Sequence, residues 1–331
     1  MMEGYPYYLP STGDGKDRTA EIEAKLCRHG ACQLGSGMYI VSGIQMPDGT
    51  SLMGMGSCTK ILLADEVETG AAIAMGSFCT VKDLLVMGSE EEISWPQQVG
   101  SRHGIAFVGT ATIQNYDGQP RNAIIANCFA RSFTGGGITC TDTGYRTECS
   151  LTVCNCHLWN CGAGINITHF SEYHEFTNVL STANLYGCIN NGGNNVFTNC
   201  GFNSNTTGFL IDNSHGQSNN NSHGSAIGCT FNHSDRNQGI GIQVLGAGSG
   251  YVFGGGQMFF SKIVVEDSVG ITFDAFNYGR DMDISVKGGK LTMFTNSAFS
   301  NSPRRIHVEN NDFVKICNCY TRDGETVTVS D

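Results

Sequence analysis

The hydrophobic pattern of this chain has period two, comes in short runs, and recurs. Gly137-Ile138-Thr139-Cys140, Gly164-Ile165-Asn166-Ile167, Gly208-Phe209-Leu210-Ile211 and Gly239-Ile240-Gly241-Ile242 alternate apolar residues with small or polar ones. Lys262-Ile263-Val264-Val265, Arg305-Ile306-His307-Val308 and Thr326-Val327-Thr328-Val329 continue the series. Such alternation predicts a half-buried strand. A second beat occupies a fixed slot at Cys128, Cys156, Asn178, Cys200, Cys229, Gln257, Asp274, Ser297 and Cys319, with a mean step of roughly 24 residues. Two or three short strands per repeat, with turns between them and no helical period, predict one coil of a solenoid. A single coil cannot bury its inner face. Stacking coils about 4.8 Å apart pairs each strand with those above and below and closes a core. The expected fold class is all-β, a parallel β-helix. A propeller needs blades of about 40 residues built from antiparallel hairpins, and hairpin signals are missing at that spacing.

The first 56 residues read differently. Asp17 is placed to cap a helix over about 17–29, with Ile22, Leu26 and Cys27 as its apolar stripe and Gly30 as its stop. Short strands follow, broken by glycines and by Pro47-Asp48-Gly49. The expected organisation is an N-terminal segment and cap over 1–56 and a single β-helical domain over 57–331. One acidic insertion, Ser89-Glu90-Glu91-Glu92-Ile93-Ser94-Trp95, interrupts the repeats. Loops that protrude from a solenoid often form its binding side.

Composition narrows the function classes. The 331 residues carry 19 basic and 30 acidic side chains, a net charge of −11, which argues against nucleic acid and against anionic membrane surfaces as partners. No apolar run is long enough to span a bilayer, so no membrane insertion is expected. The opening MMEGYPYYLP has neither a basic nor an apolar segment of the secretory kind, so synthesis in the cytoplasm without a signal peptide is expected. The 15 cysteines are odd in number and several share the repeat slot, which reads as small buried thiols. A flat strand ladder offers no tetrahedral zinc geometry. No metal and no cofactor is expected.

The opening Gly13-Asp14-Gly15, then Thr19 and Ile22, then Gly37 and Tyr39, then Pro47, Gly49, Leu52 and Gly54, resembles the start of the pectate-lyase-like right-handed parallel β-helix superfamily. The version it resembles is found in phage tail spikes and appendages. The likeness covers about the first 60 residues. It implies a right-handed solenoid whose open end is covered by the short helix. It also implies a virion location on a phage tail, assembly as a homotrimer, and binding of a bacterial surface polysaccharide, which catalytic members depolymerise. Two other readings stand beside it: a free bacterial carbohydrate-active enzyme, and a non-catalytic structural or adhesive β-helix. An active enzyme of this fold would be a glycoside hydrolase or a polysaccharide lyase. The polygalacturonase motifs are missing, since there is no Asp-Asp pair and no Gly-His-Gly, and Arg305-Ile306-His307 lacks the lysine of that pattern. No run matches the calcium cluster of pectate lyases. The fold therefore does not license an activity.

Candidate chemistry rests on carboxylates one coil apart, the geometry glycoside hydrolysis uses. Glu148 with Glu172 and Asp212 with Asp235 have that spacing. His169-Phe170-Ser171-Glu172-Tyr173-His174-Glu175 is the densest titratable run. Glu172, Glu175, Asp212 and Asp235 are the catalytic candidates, with His169 and Tyr173 as alternative proton acceptors. Asp212 precedes Asn213-Ser214 and also suits a turn cap. Trp159, Trp95 and His174 are the candidate sugar contacts, and Trp159 also suits a core position.

Overall fold

The computed structural model describes residues 6–94, 97–109, 119–168, 170–214, 223–233, 239–247, 250–279, 282–299, 305–321, 324 and 327–330. The chain divides into two compact units, Met1–Asn166 with Phe170–Glu175, and Ile167–His169 with Phe176–Asp331. Each is a right-handed parallel β-helix, and among the described residues the strand pairs within each are parallel.

In the first unit three sheets run up the coils. The first holds Ala31–Leu34, Ala123–Ala126, Leu151–Cys154 and the leading halves of Ser51–Leu63 and Thr80–Met87. The second holds Gly37–Val41, the trailing halves of those two long strands, Phe129–Arg131 and His157–Trp159. The third holds Ile44–Gln45, Gly70–Met75, Arg102–Val108 and Gly136–Thr141. One α-helix is present among the described residues, Thr19–His29. It starts two residues later than the sequence suggests. Arg18 takes the flanking position, and the Asp17 carboxylate instead accepts the Thr19 N–H at 2.7 Å. Ile22 and Leu26 are wholly buried, but Cys27 faces solvent and is not part of the stripe. Gly30 closes the helix in the left-handed region, φ 69°, its N–H bonding the Leu26 carbonyl. This helix is too short to cross a membrane.

The second unit repeats the plan. Its first sheet is Asn195–Thr198, Gly224–Ile227, Tyr251–Gly254, Ile271–Asp274, Thr292–Thr295 and Val314–Cys317. The second runs from Leu180–Thr182 and Gly201–Asn203 through Gln257–Met258, Asn277–Tyr278 and Ala298–Phe299 to Tyr320–Thr321. The third runs from Tyr186–Asn190 and Thr207–Asp212 to Thr328–Ser330.

The repeat slot is explained by the corner between the first and second sheets. Each corner residue sits in the left-handed region: Asp83, Asn127 and Asn155 in the first unit, and Asn178, Asn199, Gly228, Gly255, Ala275, Asn296 and Asn318 in the second. Asn and Gly tolerate that conformation best. The next residue points inward and donates back across the corner. Cys128 reaches the Ala126 carbonyl at 3.3 Å and Cys156 the Cys154 carbonyl at 3.3 Å. Cys200, Cys229 and Cys319 do the same in the second unit, and Ser297 does it at 2.8 Å. The thiols are therefore corner donors in the core. Burial holds the Cys32 and Cys161 thiols up at about 12, far from reactive thiolates. In three coils the slot is Val179, Gly256 and Phe276, so Asn178, Gln257 and Asp274 lie one or two residues off it. Asp274 has another part. Its carboxylate accepts Thr295 Oγ1 at 2.6 Å and Asn296 Nδ2 at 2.9 Å, standing in for the amide that Ala275 lacks. Asp83, Asn127 and Asn155 form the matching ladder in the first unit.

Candidate functional site

The outer face of the second sheet in the first unit carries an aromatic row. Ala130 and Leu158 point into the core, so strand alternation turns Phe129, Arg131, His157 and Trp159 outward. Parallel register sets Phe129 beside His157 and Arg131 beside Trp159. The Phe129 and His157 rings stack at 4.6 Å and 5°. Burial lowers the His157 pKa, so the ring is neutral at pH 7. One strand back in the same columns lie Leu85 and Met87, which with Leu62 make a small apolar cluster outside the core.

The acidic insertion is stapled beside this row. Gly88 N–H bonds the Arg131 carbonyl at 3.0 Å, and Gly100 N–H bonds the Thr134 carbonyl at 2.7 Å. Between those ends, the buried Asn160 amide grips the Ile93 backbone from both sides. Its Oδ1 accepts the Ile93 N–H at 2.9 Å and its Nδ2 donates to the Ile93 carbonyl at 3.2 Å. Arg131 Nη2 donates to the Glu90 carbonyl at 2.8 Å. Glu90, Glu91 and Glu92 stay exposed. Trp95 lies outside the described residues.

The titratable run folds as a strap over buried polar groups. Phe170 and Tyr173 adopt φ values of 60° and 62°, unusual for bulky side chains and a mark of local strain. Between them Glu172 is 6% exposed and its N–H bonds the Gly144 carbonyl at 3.1 Å. Tyr173 is half-buried, and Glu175 is exposed at the start of the strand Glu175–Thr177. His174 turns wholly inward, where Thr143 and Leu151 hold its two ring nitrogens. That burial leaves no ring face for a sugar. His169 lies outside the described residues. Glu148 sits on the surface turn Thr147–Cys149, 3.7 Å from Arg146.

In the second unit Asp212 ends its strand. Its carboxylate accepts the Ser214 N–H at 3.0 Å and the Ser214 hydroxyl at 2.6 Å, a turn cap. Asp235 lies outside the described residues. The structure thus gathers Glu172, Tyr173, His174 and Glu175 on one strap, and sets Trp159 on a different sheet face. The sequence reading missed Phe129, Arg131, His157 and Asn160. Among the described residues no group of three or more His, Cys, Asp or Glu is placed to hold a metal.

No protein-family model matches the chain, and no curated protein matches it. Solved structures do. The A-module of Azotobacter vinelandii mannuronan C-5 epimerase AlgE4 is similar over 97% of this chain and 97% of its own, at 13% identity and TM-score 0.58. The tailspike protein of E. coli bacteriophage HK620, solved with a pentasaccharide, is similar over 93% of this chain and 63% of its own, at 11% identity and TM-score 0.60. The enzymatically active domain of bacteriophage CBA120 tailspike protein 2 is similar over 96% and 47%, at 14% identity and TM-score 0.54. At these identities the likeness shows the parallel β-helix fold.

Proposed function

We propose that this protein binds a polysaccharide along the outer face of the second sheet of its first unit. The observation that carries the reading is the outward row of Phe129, His157 and Trp159 with Arg131 among them. A sugar ring presents C–H groups on its faces and hydroxyls at its edge. The Trp159 ring suits a face, the outward edges of the Phe129–His157 stack add apolar contact, and a guanidinium beside them suits the hydroxyls. Parallel strands repeat the contact every 4.8 Å or so, a spacing that suits a polymer better than a single sugar. The tailspike solved with a pentasaccharide and the mannuronan epimerase support the same reading, since their names tie the fold to sugar polymers. Trp159→Ala is expected to weaken binding about 10- to 100-fold, the range of a lost aromatic stack. Affinity electrophoresis through polysaccharide-loaded gels reads this. Unchanged mobility shifts would overturn the proposed binding face.

The finer reading is a phage tail-spike protein that meets a bacterial surface polysaccharide as part of the virion and works as a homotrimer. The Gly13-Asp14-Gly15 opening and the tailspike neighbours support it. So does the outer face of the first sheet in the second unit, where Val196, Ile227 and Val252 are about two-fifths exposed among uncharged neighbours. The third-sheet face of that unit is charged instead, with Glu266, Lys287 and Glu309 in one row. Light scattering should return three times the chain mass; a monomer sinks the trimer.

For cleavage, the proposed carboxylates are Glu172 and Glu175, which lie on the strap and not on the aromatic face, so this is a reading separate from the binding face. Replacing both with Gln is expected to stop depolymerisation of a polymer that the wild type cleaves. Retained cleavage sinks that assignment. A wild type that binds without cleaving leaves the non-catalytic adhesive reading.

A further inference from the structure

We infer that the aromatic row takes a neutral or N-acetylated polysaccharide and turns away polyanionic ones, with Glu90, Glu91 and Glu92 setting that preference. The inference rests on the proposed binding face and adds its substrate class. Three observations carry it.

First, the acidic insertion is fixed in place. Its ends are bonded to the backbone at Arg131 and Thr134, and its middle is held from both sides by Asn160. The carboxylates of Glu90, Glu91 and Glu92 project from a stapled backbone beside the row and cannot leave with a free loop. Second, the cation best placed to welcome a sugar carboxylate is already engaged. An arginine grips a carboxylate through a fork of two N–H groups. In Arg131, Nη2 donates to the Glu90 carbonyl at 2.8 Å and Nε is buried away from solvent with no partner. The Nε–Nη2 fork is therefore closed to a ligand. Third, little else compensates. Lys60 shares the column of Leu85 and Phe129, two strands from the Phe129 ring, roughly 10 Å away and near one screening length. Arg102 Nη2 bonds the carbonyls of Leu63, Ala64 and Gly88. His157 is neutral at pH 7 because burial disfavours its charged form. Three exposed glutamates thus stand on a segment whose backbone is bonded to Arg131, the cation of the row, on a chain of net charge −11.

Like charges several ångström apart near water repel weakly one by one. Summed over three carboxylates and a repeating anionic polymer, the effect reaches on the order of tenfold in affinity at low salt, and salt removes most of it.

The test compares wild type, the triple variant E90Q/E91Q/E92Q and Trp159→Ala on a printed array of neutral, N-acetylated and uronic-acid or sialic-acid polysaccharides. The triple variant keeps the staple, because Arg131 bonds the Glu90 carbonyl and not its side chain. Circular dichroism confirms that each variant is folded. The array is run at about 20 mM and about 500 mM salt, which moves the screening length from roughly 20 Å to a few ångström. The expected result is wild-type binding to neutral or N-acetylated members only. The triple variant should keep those and gain acidic members about tenfold at low salt. Two outcomes overturn the inference alone: wild-type signal strongest on acidic polymers, or an acidic-to-neutral ratio that the triple variant leaves unchanged. Failure to bind any polymer, or binding that Trp159→Ala does not touch, overturns the binding face itself and this inference with it.

Discussion

Truncating Phe209 to Ala is expected to destabilise the second unit by about 3–5 kcal/mol, the range for removing a fully buried phenyl ring. Phe209 sits on the strand Thr207–Asp212, wholly buried, and its edge meets rings from several coils. It lies 5.1 Å from Phe197 and 5.7 Å from Phe253, nearly perpendicular to both, and 5.3 Å from Phe202. Those rings belong to stacks that climb the solenoid. Phe253, Phe273 and Phe294 stack at 5.2 and 5.0 Å, and Phe202 stacks on Phe231 at 5.6 Å. Phe209 therefore wedges between two stacks, and no neighbour can slide into its place without breaking its own stacking. Little collapse means a large residual cavity, which puts the cost at the upper part of the range. Each edge-to-face pair adds about 0.5–1.5 kcal/mol beyond area, though not additively. Scanning calorimetry should show a loss of roughly 6–20 °C in the transition of this unit. Phe209→Leu keeps most of the volume and should cost less than about half as much. Equal losses for Ala and Leu would mean that shape, not volume, dominates; a loss below about 1 kcal/mol for Ala would mean that the stacks close over the gap.

Much of this architecture was legible in the residues, because a solenoid writes the same physical requirement once per coil. The alternating runs ending at Ile211 and Ile242 are paired strands of one sheet. The thiols at 128, 156, 200, 229 and 319 occupy one slot because each serves the same corner. The slot slipped at Asn178, Gln257 and Asp274 because Val179, Gly256 and Phe276 fill it without a polar atom to mark it. The aromatic row was within reach too. Aligning Cys128 with Cys156 places Phe129 over His157 and Arg131 over Trp159, the register observed. What hid it was reading Trp159 alone instead of its column. The staple on the acidic insertion was not legible, since Asn160 meets Ile93 across 67 residues. Nor was the strap. Ser171 to Glu175 reads as solvated surface, but two left-handed residues reverse the facing of the side chains between and after them and send His174 into the core.

That inward His174 makes the fold acid-sensitive, and the sign follows from its hydrogen bonds. Nδ1 accepts the Leu151 N–H at 3.0 Å, so it carries no proton; Nε2 carries it and faces Thr143 Oγ1 at 3.1 Å. Protonating Nδ1 would turn an acceptor into a donor against an N–H, on a wholly buried ring that lies 6.2 Å from the Phe107 ring. Burial lowers the His174 pKa from 6.5 to about 3. An unfolded chain binds that proton near pH 6.5, and the folded one only near pH 3. Above 6.5 neither state is protonated and the site costs nothing. Between 6.5 and 3 the unfolded state binds more protons, so stability falls as pH falls, by about 1.4 kcal/mol per pH unit and on the order of 4–5 kcal/mol in all. His174→Gln supplies an acceptor and a donor without a titration. It should be less stable than wild type at pH 8 by about 1–3 kcal/mol, the cost of imperfect hydrogen bonds in a closed site. Its stability should then fall less steeply from pH 6.5 to 4, so that the two curves converge. His103 and His157, whose pKa values burial also lowers, titrate in both proteins and cancel in the difference. Denaturant titrations of the pair at half-unit pH steps measure that difference; parallel curves would show that His174 takes up its proton without unfolding.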